Sequence, residues 1–446
     1  MNDTATQSRA SPAIIPRSEH NVSRSNVSPN ALKVLYRLRN SGFEAFLVGG
    51  GVRDLLLGRH PKDFDVVTNA LPEQIEDLFG NCRLIGRRFR LAHVRFGRDI
   101  VEVATFRATS AESDDERAHS DSGRILRDNV YGTIDEDVWR RDFTVNALYY
   151  NIADFSLWDY VGGLKDIQSR TLRLIGDPET RYREDPVRML RVVRFAAKLD
   201  FTIAPEAEEP LKRLGPLLRD VPPARLFDEL LKLFHAGHAR RSFDLLVHYD
   251  LFRYLFSDTQ SVLDGPKREA TLEFIRKGLE NTDERVRADK PVTPMFLYAV
   301  FLWPPIRELA LELMAEGWNE THAIVEASAR VLARQQTAFP RRFSAPMREM
   351  LAMQWRFMHR QGVRAVRLLQ HKRFRAAYDF MLLRAQCGEV EQEVADWWTE
   401  VQTLSPPEQQ KALGLSRGPR RRRRGGRRRG QHRAGAGSND MSGAAP

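Results

Sequence analysis

Residues 47–65 read LVGGGVRDLLLGRHPKDFD: an apolar strand-like segment, three glycines, a short helical stretch and two aspartates one residue apart. Glycine lets the backbone turn sharply after a strand and come close to phosphate groups. If the segment from Lys62 onward is extended, Asp63 and Asp65 leave the same face, about 6–7 Å apart. Two carboxylates this close repel each other, and a divalent cation relieves the repulsion. The stretch therefore predicts a strand–turn–helix–strand unit that binds metal and nucleotide.

The spacing of the aspartate pair from the glycine turn is what makes it informative. Taken alone, two aspartates separated by one residue are more often a capped turn or a solvated strand end than a catalytic site. Gly49–Arg53 precedes them here, which makes the catalytic interpretation far more specific. Nucleotidyl transfer uses carboxylates that bridge two metal ions about 4 Å apart, one beside the attacking hydroxyl and one beside the leaving pyrophosphate. We therefore expect Asp63 and Asp65 to bind metal.

Bulk properties limit the class of protein. A chain of 446 residues is too long for one compact core, so two to four domains are expected. The apolar share is 42 % and no apolar run reaches 18 residues, which predicts no membrane span. Cys82 and Cys387 are the only cysteines, so a disulfide framework and a cysteine zinc site are excluded. This cysteine usage suits a reducing compartment and predicts a cytoplasmic location.

Arginine is concentrated at the C-terminal end. Residues 417–446 contain ten arginines and one acid, so nearly all of the net charge of +11 lies there. A run such as RRRRRGGRRRG repels itself and has nothing apolar to bury, so it cannot fold alone. RNA is the leading polyanionic partner, and Arg421, Arg422 and Arg423 are expected to contact its phosphates. A tail that only keeps the protein soluble is the alternative.

The order of local patterns predicts an α+β chain, with an α/β head on a small mixed sheet, an all-helical body and a disordered basic tail. The expected segments are a disordered tail at 1–30, a catalytic head at 31–177, an RNA- and nucleotide-binding neck at 178–265, a helical body at 266–404 and the basic tail at 405–446. Within the head, 90–97 and 99–107 read as a hairpin, and the acidic stretch 109–123 reads as a mobile loop.

A third acid is normally required beside the aspartate pair, and the sequence offers two. Glu102 alternates with valines in DIVEVATF, so it faces away from them and could reach the aspartates from a neighbouring strand. Asp142 lies in WRRDFTVNALYY, where Arg140 and Arg141 could hold phosphates beside it. The simpler explanations are a solvent-facing strand residue for Glu102 and a helix cap for Asp142. Both candidates stay open at this point.

The segment REDPVRMLRVVRFAAKL opens the neck and carries a candidate base reader. Asp185 and Arg188 are three residues apart and can project to one side of a helix. An acid and an arginine complement the N6 donor and the N1 acceptor of adenine, and an enzyme that selects a base without a template requires such a pair. Asp185 as the N-cap ahead of Pro186 is the purely structural alternative.

Two basic groups are candidates for contact with RNA phosphates. On the neck helix, cations recur every three or four residues, and in the head a basic turn leads into the strand that carries His93. A solvated helix face is the alternative for the first group. His93 itself is interpreted as a buried, hydrogen-bonded residue rather than a catalytic one. The candidate phosphate-binding residues are Arg87, Arg88, Arg90, Arg191, Arg194 and Lys198.

Together these motifs resemble a known family. GGGVRDLLLG…PKDFD, VEVATFR, RRDFTVNALYY, DYVGGLKD, LRLIG and RYREDPVRMLRVVRFAAKL look like the class II nucleotidyltransferases, which include bacterial poly(A) polymerases and tRNA CCA-adding enzymes. The resemblance covers about residues 40–260. LIGRRFRLAHV at 84–94, PPARLFDELLKLF and the arginine-rich end are similar to the poly(A) polymerase branch, and no HD-type phosphohydrolase signature is present.

The resemblance implies roles for the candidate residues. Asp63 and Asp65 would bind two Mg²⁺ ions, with Mn²⁺ as a substitute, and Asp142 would be the third active-site acid with Glu102 as its rival. ATP would be the substrate, contacted at its triphosphate and nucleoside by Gly50, Gly51, Arg53, Arg140, Arg141, Asp185 and Arg188.

The implied activity is template-independent polyadenylation of RNA 3′ ends, with release of pyrophosphate. It would promote RNA decay, with RNA-decay proteins as further partners. Two other hypotheses stay open. A CCA-adding enzyme would add C, C and A to tRNA and stop, and a non-catalytic RNA-binding protein would bind without transfer. Nucleotide choice distinguishes the first, and the intact aspartate pair argues against the second.

Overall fold

The head is built on one mixed sheet of eight strands. The computed structural model describes residues 11–86, 90–108 and 130–415. The sheet strands are β1 (Ala13–Ile15), β2 (Ala45–Val48), β3 (Asp65–Thr68), β4 (Cys82–Ile85), β5 (Leu91–Phe96), β6 (Asp99–Thr105), β7 (Leu148–Asn151) and β8 (Leu157–Asp159). Their order across the sheet is β1-β8-β7-β2-β3-β6-β5-β4. β3 and β6 run parallel, and the other neighbouring strands pair antiparallel.

Each face of this sheet is covered by its own layer of side chains, because successive strand residues point in opposite directions. Leu47, Val66 and Val103 pack on one side with helix α1 (Pro29–Asn40), which we call the back face. Val48 and Val67 pack on the other side, the front face, in a smaller cluster with Phe106 and Tyr149. The remaining head helices are α2 (Gly50–Leu56), α3 (Pro72–Leu78), α4 (Ile134–Arg140) and α5 (Gly163–Gln168).

The rest of the described chain is helical apart from a short parallel pair, β9 (Thr171–Leu172) and β10 (Thr202–Ile203). Its helices are α6 (Pro178–Glu184), α7 (Val187–Leu199), α8 (Pro205–Leu214), α9 (Pro223–Phe234), α10 (Ala239–His248), α11 (Ser257–Leu263), α12 (Arg268–Arg287), α13 (Pro294–Ala315), α14 (Glu320–Ala333), α15 (Arg341–Ala352), α16 (Gly362–Leu369), α17 (Phe374–Gln386), α18 (Gln392–Val401) and α19 (Pro406–Ala412). α13 packs against α11, α12, α14 and α15, and its first half is buried on every side. The expected α+β class is confirmed.

The prediction that residues 1–30 form a disordered tail is wrong for the part that the structure describes. Strand β1 pairs with β8 at the sheet edge, and Val22 and Val27 are buried in the core. Ser28 then caps α1, since its Oγ accepts a hydrogen bond from the backbone nitrogen of Ala31 at 3.1 Å. The segment lacks a periodic apolar pattern because it contributes only single buried residues and one edge strand to the head. Residues 1–10 lie outside the described ranges.

The predicted basic tail likewise begins too early at residue 405. Helix α19 starts after Ser405, whose backbone nitrogen donates to Glu408 at 3.1 Å in a capping box. Leu413 is buried, and its carbonyl accepts a hydrogen bond from Gly362 at 2.8 Å. Residues 416–446 and the predicted loop 109–123 lie outside the described ranges. In the parts of the chain that the structure describes, no helix has both the length and the apolar character needed to cross a bilayer.

Candidate active site

The glycine turn after β2 brings the backbone against the aspartate segment. Gly49 has φ of +74° and ψ of −140°, a region that residues with a Cβ strongly avoid. A Cβ placed on Gly49 would lie 3.6 Å from Asp65 Oδ2 and 4.0 Å from Arg141 Nη1. A Cβ on Gly51 would lie 3.2 Å from the carbonyl oxygen of Asp63. The turn therefore lies directly beside Asp65 and Arg141.

Strand pairing places Glu102 beside Asp65. Val66 is the register partner of Val103 in the parallel pair β3–β6, so the residues before them, Asp65 and Glu102, are neighbours on the front face. Asp63 lies just ahead of β3, which begins at Asp65 and not at Lys62 as the sequence pattern predicts. Burial, followed by repulsion from Glu102, raises the pKa of Asp65 to about 6, and Asp63 adds to this while Arg141 opposes it. Asp65 is therefore coupled electrostatically to Glu102 and, more weakly, to Asp63.

Asp142 belongs to a different cluster. Its Oδ2 accepts a hydrogen bond from Arg191 Nε at 2.9 Å, and its Oδ1 accepts from the backbone nitrogen of Phe143 at 2.9 Å and from Asn146 Nδ2 at 3.3 Å. Burial alone would raise the pKa of Asp142, but the charge and hydrogen bonds of Arg191 hold it below the usual value. Of the two candidates for the third acid, the structure brings Glu102 to Asp65, whereas it holds Asp142 in an ion pair. The role of Asp142 as a third active-site acid, which the resemblance implies, stays a prediction.

Arginines face the acids across a front-face cavity of about 260 Å³. Arg141 is fixed within it, because its guanidinium donates to Asp137 Oδ2 at 2.8 Å and to the hydroxyl of Tyr149 at 2.7 Å. Arg140 donates to the carbonyl of Ala108 at 2.9 Å. The residues that line the cavity are Val48, Asp65, Val66, Val67, Leu91, Glu102, Ala104, Arg107, Asp137, Arg140 and Arg141. A cavity with carboxylates on one side and arginines on the other suits a metal-bound polyphosphate.

The predicted triphosphate contact of Arg53 is not what the structure shows. Only 2 % of Arg53 is exposed. Its guanidinium donates to Asp54 Oδ1 at 2.7 Å and to the side-chain oxygen of Asn146, and it lies 5.4 Å from the ring centre of Phe195. Arg53 therefore links α2 to the neck helix α7 through its contact with Phe195, and it does not line the cavity. The sequence alone could not distinguish the two roles, because both require an arginine just after the glycine turn.

The candidate base reader and the basic stripe on α7 are engaged in ion pairs. Asp185 pairs with Arg225 at 2.6 Å and lies between α6 and α7. Its Oδ1 also accepts a hydrogen bond from the backbone nitrogen of Val187, the first residue of α7, at 3.3 Å. Arg188 donates to Glu184 at 2.8 Å. The side chains of Asp185 and Arg188 therefore bind different partners in this structure, and the two residues contact each other only through a backbone hydrogen bond.

Of the remaining predicted phosphate contacts, some residues form ion pairs within the protein and others lie outside the described ranges. Arg194 pairs with Glu229 at 2.7 Å, and Arg191 with Asp142, so only part of the α7 stripe is available to a ligand. Burial lowers the pKa of Lys198, and the neighbouring charge of Arg53 lowers it further. Arg90 pairs with Glu73. Arg87, Arg88, Arg421, Arg422 and Arg423 lie outside the described ranges, so their predicted RNA contacts stay predictions.

Three residues at the site are absent from the sequence-based candidates. Arg107 and Asp137 line the cavity, and Tyr149 holds Arg141. The spacing of Asp137 and Arg141 on α4, four residues apart, was the available signal. His93, expected to be a hydrogen-bonded core residue, is mostly buried with Nε2 3.4 Å from Glu102 Oε1, in a geometry that forms no hydrogen bond. The pairing of His93 with Glu102 across β5 and β6 explains the approach.

A mixed sheet that presents coupled carboxylates beside a glycine turn defines a nucleotidyltransferase head. Three family models match the chain: "Poly A polymerase head domain" over residues 45–173, "Probable RNA and SrmB- binding site of polymerase A" over 200–263, and "Polymerase A arginine-rich C-terminus" over 316–432. The poly(A) polymerase I of Salmonella typhi is 49 % identical over 433 residues, which cover 95 % of this chain and 93 % of the relative. The chain belongs to the poly(A) polymerase I family.

The chain also resembles a further poly(A) polymerase I, CCA-adding enzymes and tRNA-processing enzymes. The poly(A) polymerase I of Haemophilus influenzae is 47 % identical over 90 % of both chains. A CCA-adding enzyme of Lactobacillus helveticus is 36 % identical, over 53 % of this chain and 55 % of that enzyme. Among solved structures, a tRNA-processing enzyme in an apo form has a TM-score of 0.58 at 20 % identity, over 86 % of this chain and 99 % of the other. That likeness concerns the fold.

Proposed function

We propose that this protein transfers AMP from ATP to the 3′ hydroxyl of RNA without a template, releasing pyrophosphate. The observation that carries the proposal is the front-face cavity, where Asp65 and Glu102 face Arg140 and Arg141 in a head of the poly(A) polymerase family. Asp63 lies exposed just ahead of β3 and adds its negative charge beside Asp65. The relatives that match almost the whole chain are named poly(A) polymerase I, whereas the CCA-adding relatives match about half of it.

The donor set fits divalent metal ions that are shared with the nucleotide. Within the described ranges, no group of three or more histidine, cysteine or acidic side chains is close enough to form a complete protein cage for a metal. Mg²⁺ is usually held by one or two carboxylates together with substrate phosphates, so a complete cage is not required. Burial is the main cause of the raised pKa of Asp65, and repulsion from Glu102 and Asp63 adds to it; a cation would relieve that repulsion. Asp63, Asp65 and Glu102 would hold the ions, with Mg²⁺ as the proposed species.

When bound there, such cations offset the negative charge of the triphosphate and lower the pKa of the attacking hydroxyl. The residues of the chain have separate tasks. Arg141 presents a guanidinium that Asp137 and Tyr149 hold in a fixed orientation, so little reorganisation accompanies charge development on the phosphates. Gly49 leaves open the space beside Asp65 that a side chain would occupy.

RNA is the proposed polymer substrate, bound mainly through its backbone. Family models for an RNA-binding site and for an arginine-rich C-terminus match the neck and the end of the chain. The cations of this end have no sequence preference of their own, which suits an enzyme that extends many 3′ ends. RNA-decay proteins as partners and a cytoplasmic location stay predictions.

The decisive experiment compares nucleotides on two RNAs. The full-length protein is incubated with ATP or CTP separately, on an unstructured oligoribonucleotide and on tRNA that lacks its terminal CCA. We expect long AMP tails on the oligoribonucleotide and negligible CMP addition. CMP addition to the tRNA followed by termination would identify a CCA-adding enzyme and overturn the proposal. RNA binding without any transfer would identify a non-catalytic binding protein.

A further inference from the structure

A second cavity lies on the back face of the head, behind the sheet that carries the acids. Its volume is about 450 Å³, which is in the range of small-molecule sites. It is lined by Lys33, Tyr36, Arg37, Asn40, Ser41, Phe79, Asn81 and Phe96, and this lining includes no carboxylate. We propose that this cavity binds a nucleotide unit of the single-stranded RNA, upstream of the 3′ end that is being extended. The choice of RNA as occupant rests on the proposed function.

The cations of this cavity are available to a phosphate group. Lys33 and Arg37 are four residues apart on α1 and therefore on the same side of the helix. Arg37 lies 5.2 Å from the ring centre of Phe79, and Lys33 lies 5.7 Å from that of Phe96. Among the described residues, neither cation forms an ion pair with a carboxylate, in contrast to Arg191 and its partner Asp142. Two adjacent positive charges that lack a counterion attract a phosphodiester.

Aromatic and amide groups make the cavity suitable for binding the base of a nucleotide. Phe79 is buried in the core beneath the cavity, whereas Phe96 is partly exposed in its wall. Aromatic rings bind bases by stacking without preference for sequence, so Phe96 is the candidate stacking surface. Asn40 and Asn81 contribute amides, whose donors and acceptors match base edges. A solvated helix face is the simpler explanation for a lysine and an arginine alone. It does not account for a concave site in which each cation lies over an aromatic ring.

The position of the cavity relative to the acids indicates an RNA strand as its occupant. On β5, Phe96 is three residues beyond His93, the partner of Glu102, which corresponds to about 10 Å along the strand. Phe96 thus lies near the end of the sheet at which β3 begins with Asp65. An RNA whose 3′ end is at the acids can pass around this end of the sheet and reach the back face within a few nucleotides.

The test measures RNA affinity in an Asp63→Ala background of the full-length protein, where extension of the probe is prevented. Labelled oligoadenylate of about 20 nucleotides is titrated by fluorescence anisotropy over a range of salt concentrations. We expect Arg37→Gln to weaken binding about 3–10-fold and to reduce the slope of log K against log salt by about 0.7, as for one lost contact with single-stranded RNA. Lys33→Gln should do the same.

The matched control is Arg39→Gln, which removes the same charge from an exposed position on the same helix, outside the cavity. It should leave the slope unchanged. Phe96→Leu should weaken binding several-fold with an unchanged slope, because stacking releases no counterions. Equal affinities and slopes for Arg37→Gln and Arg39→Gln would overturn the proposal. These measurements do not require catalysis, so failure of AMP transfer by the unaltered protein would refute the proposed function separately.

Discussion

The guanidinium of Arg191 on α7 binds the carboxylate of Asp142, and this ion pair joins the head to the first long helix of the neck. Asp142 also caps the backbone nitrogen of Phe143 and accepts from Asn146, so every contact that it makes is internal. Asn146 in turn accepts a hydrogen bond from Arg53 on α2. The glycine turn, the segment after α4 and helix α7 are therefore connected by one polar network.

Replacement of Asp142 should mainly destabilise the fold. Asp142→Asn leaves the partly buried charge of Arg191 without its partner, which should cost about 2 kcal/mol in the free energy of unfolding, less than for a fully buried pair. Urea denaturation measures this quantity. Asp185→Asn is the control, because its pair with Arg225 is more exposed and should contribute less than about 1 kcal/mol. Equal losses of stability for the two variants would contradict the assigned role of Asp142.

The same ion pair should make the free energy of unfolding depend on pH in the acidic range. Arg191 lowers the pKa of Asp142 in the folded protein from its usual value of 3.8. A carboxyl group with a lowered folded pKa contributes stability above its unfolded pKa and loses this contribution as the pH falls through the folded pKa. The difference in unfolding free energy between the unaltered protein and Asp142→Asn should therefore be constant near neutral pH and shrink below 3.8. Denaturation curves over this pH range provide the measurement.

Loss of the Glu102 carboxylate should reduce catalysis rather than stability. Glu102→Gln removes the negative charge that lies beside Asp65 in the nucleotide cavity. If a bound metal supplies several kcal/mol to the transition state, weaker metal binding should lower AMP transfer about a hundredfold or more. Transfer is measured at increasing Mg²⁺ concentration. Asp77→Asn on the exposed side of α3 is the control and should be neutral. Full activity of Glu102→Gln would leave only Asp63 and Asp65 as metal-facing acids.

The elements of the fold that are encoded by a local pattern of apolar and polar residues could be predicted from the sequence. The hairpin of β5 and β6 follows from alternation and from Gly97, and the helical body follows from its 3.6-residue period. Edge strand β1 was missed, because three residues carry no periodic signal and its pairing with β8 joins segments more than 140 residues apart. The sequence also could not show which of Glu102 and Asp142 lies beside Asp65, because the parallel pairing of β3 with β6 determines this.

Salt-bridge partners were the least predictable part of the site. The basic stripe on α7 is visible in the sequence, but Glu229 and Asp142, which neutralise Arg194 and Arg191, come from distant segments. Asp185 similarly finds Arg225, forty residues further along the chain. Helical spacing predicts which residues share a face, whereas only the packing of α7 against its neighbours determines which of them stay available to a ligand.

His93 should act as a positioning residue for Glu102. Its Nε2 lies 3.4 Å from Glu102 Oε1 without a hydrogen bond, so a small movement of the carboxylate would make one. Groups that orient a metal ligand typically contribute 10–100-fold in metal affinity. His93→Phe should therefore raise the Mg²⁺ concentration required for half-maximal AMP transfer about tenfold, with partial rescue by His93→Gln, which restores a donor. A lowered melting temperature with an unchanged Mg²⁺ requirement would indicate a purely structural histidine.

Gly49 has a backbone conformation that favours glycine, directly beside Asp65. Its φ of +74° and ψ of −140° are costly for any residue with a Cβ, and that Cβ would lie 3.6 Å from Asp65 Oδ2, where the phosphates of the nucleotide should pass. Gly49→Ala should therefore cost about 1–3 kcal/mol of stability and also raise the KM for ATP.

Gly58 offers a matched comparison, because its φ of +68° is also positive but a Cβ there would meet open space. Gly58→Ala should cost about 1 kcal/mol of stability, the usual penalty for a left-handed residue, and leave the KM for ATP unchanged. Thermal unfolding and steady-state kinetics on both variants separate the two contributions at Gly49. If both variants change KM equally, backbone strain is the cause. If Gly49→Ala alone changes it, the open space beside Asp65 is required for binding the nucleotide.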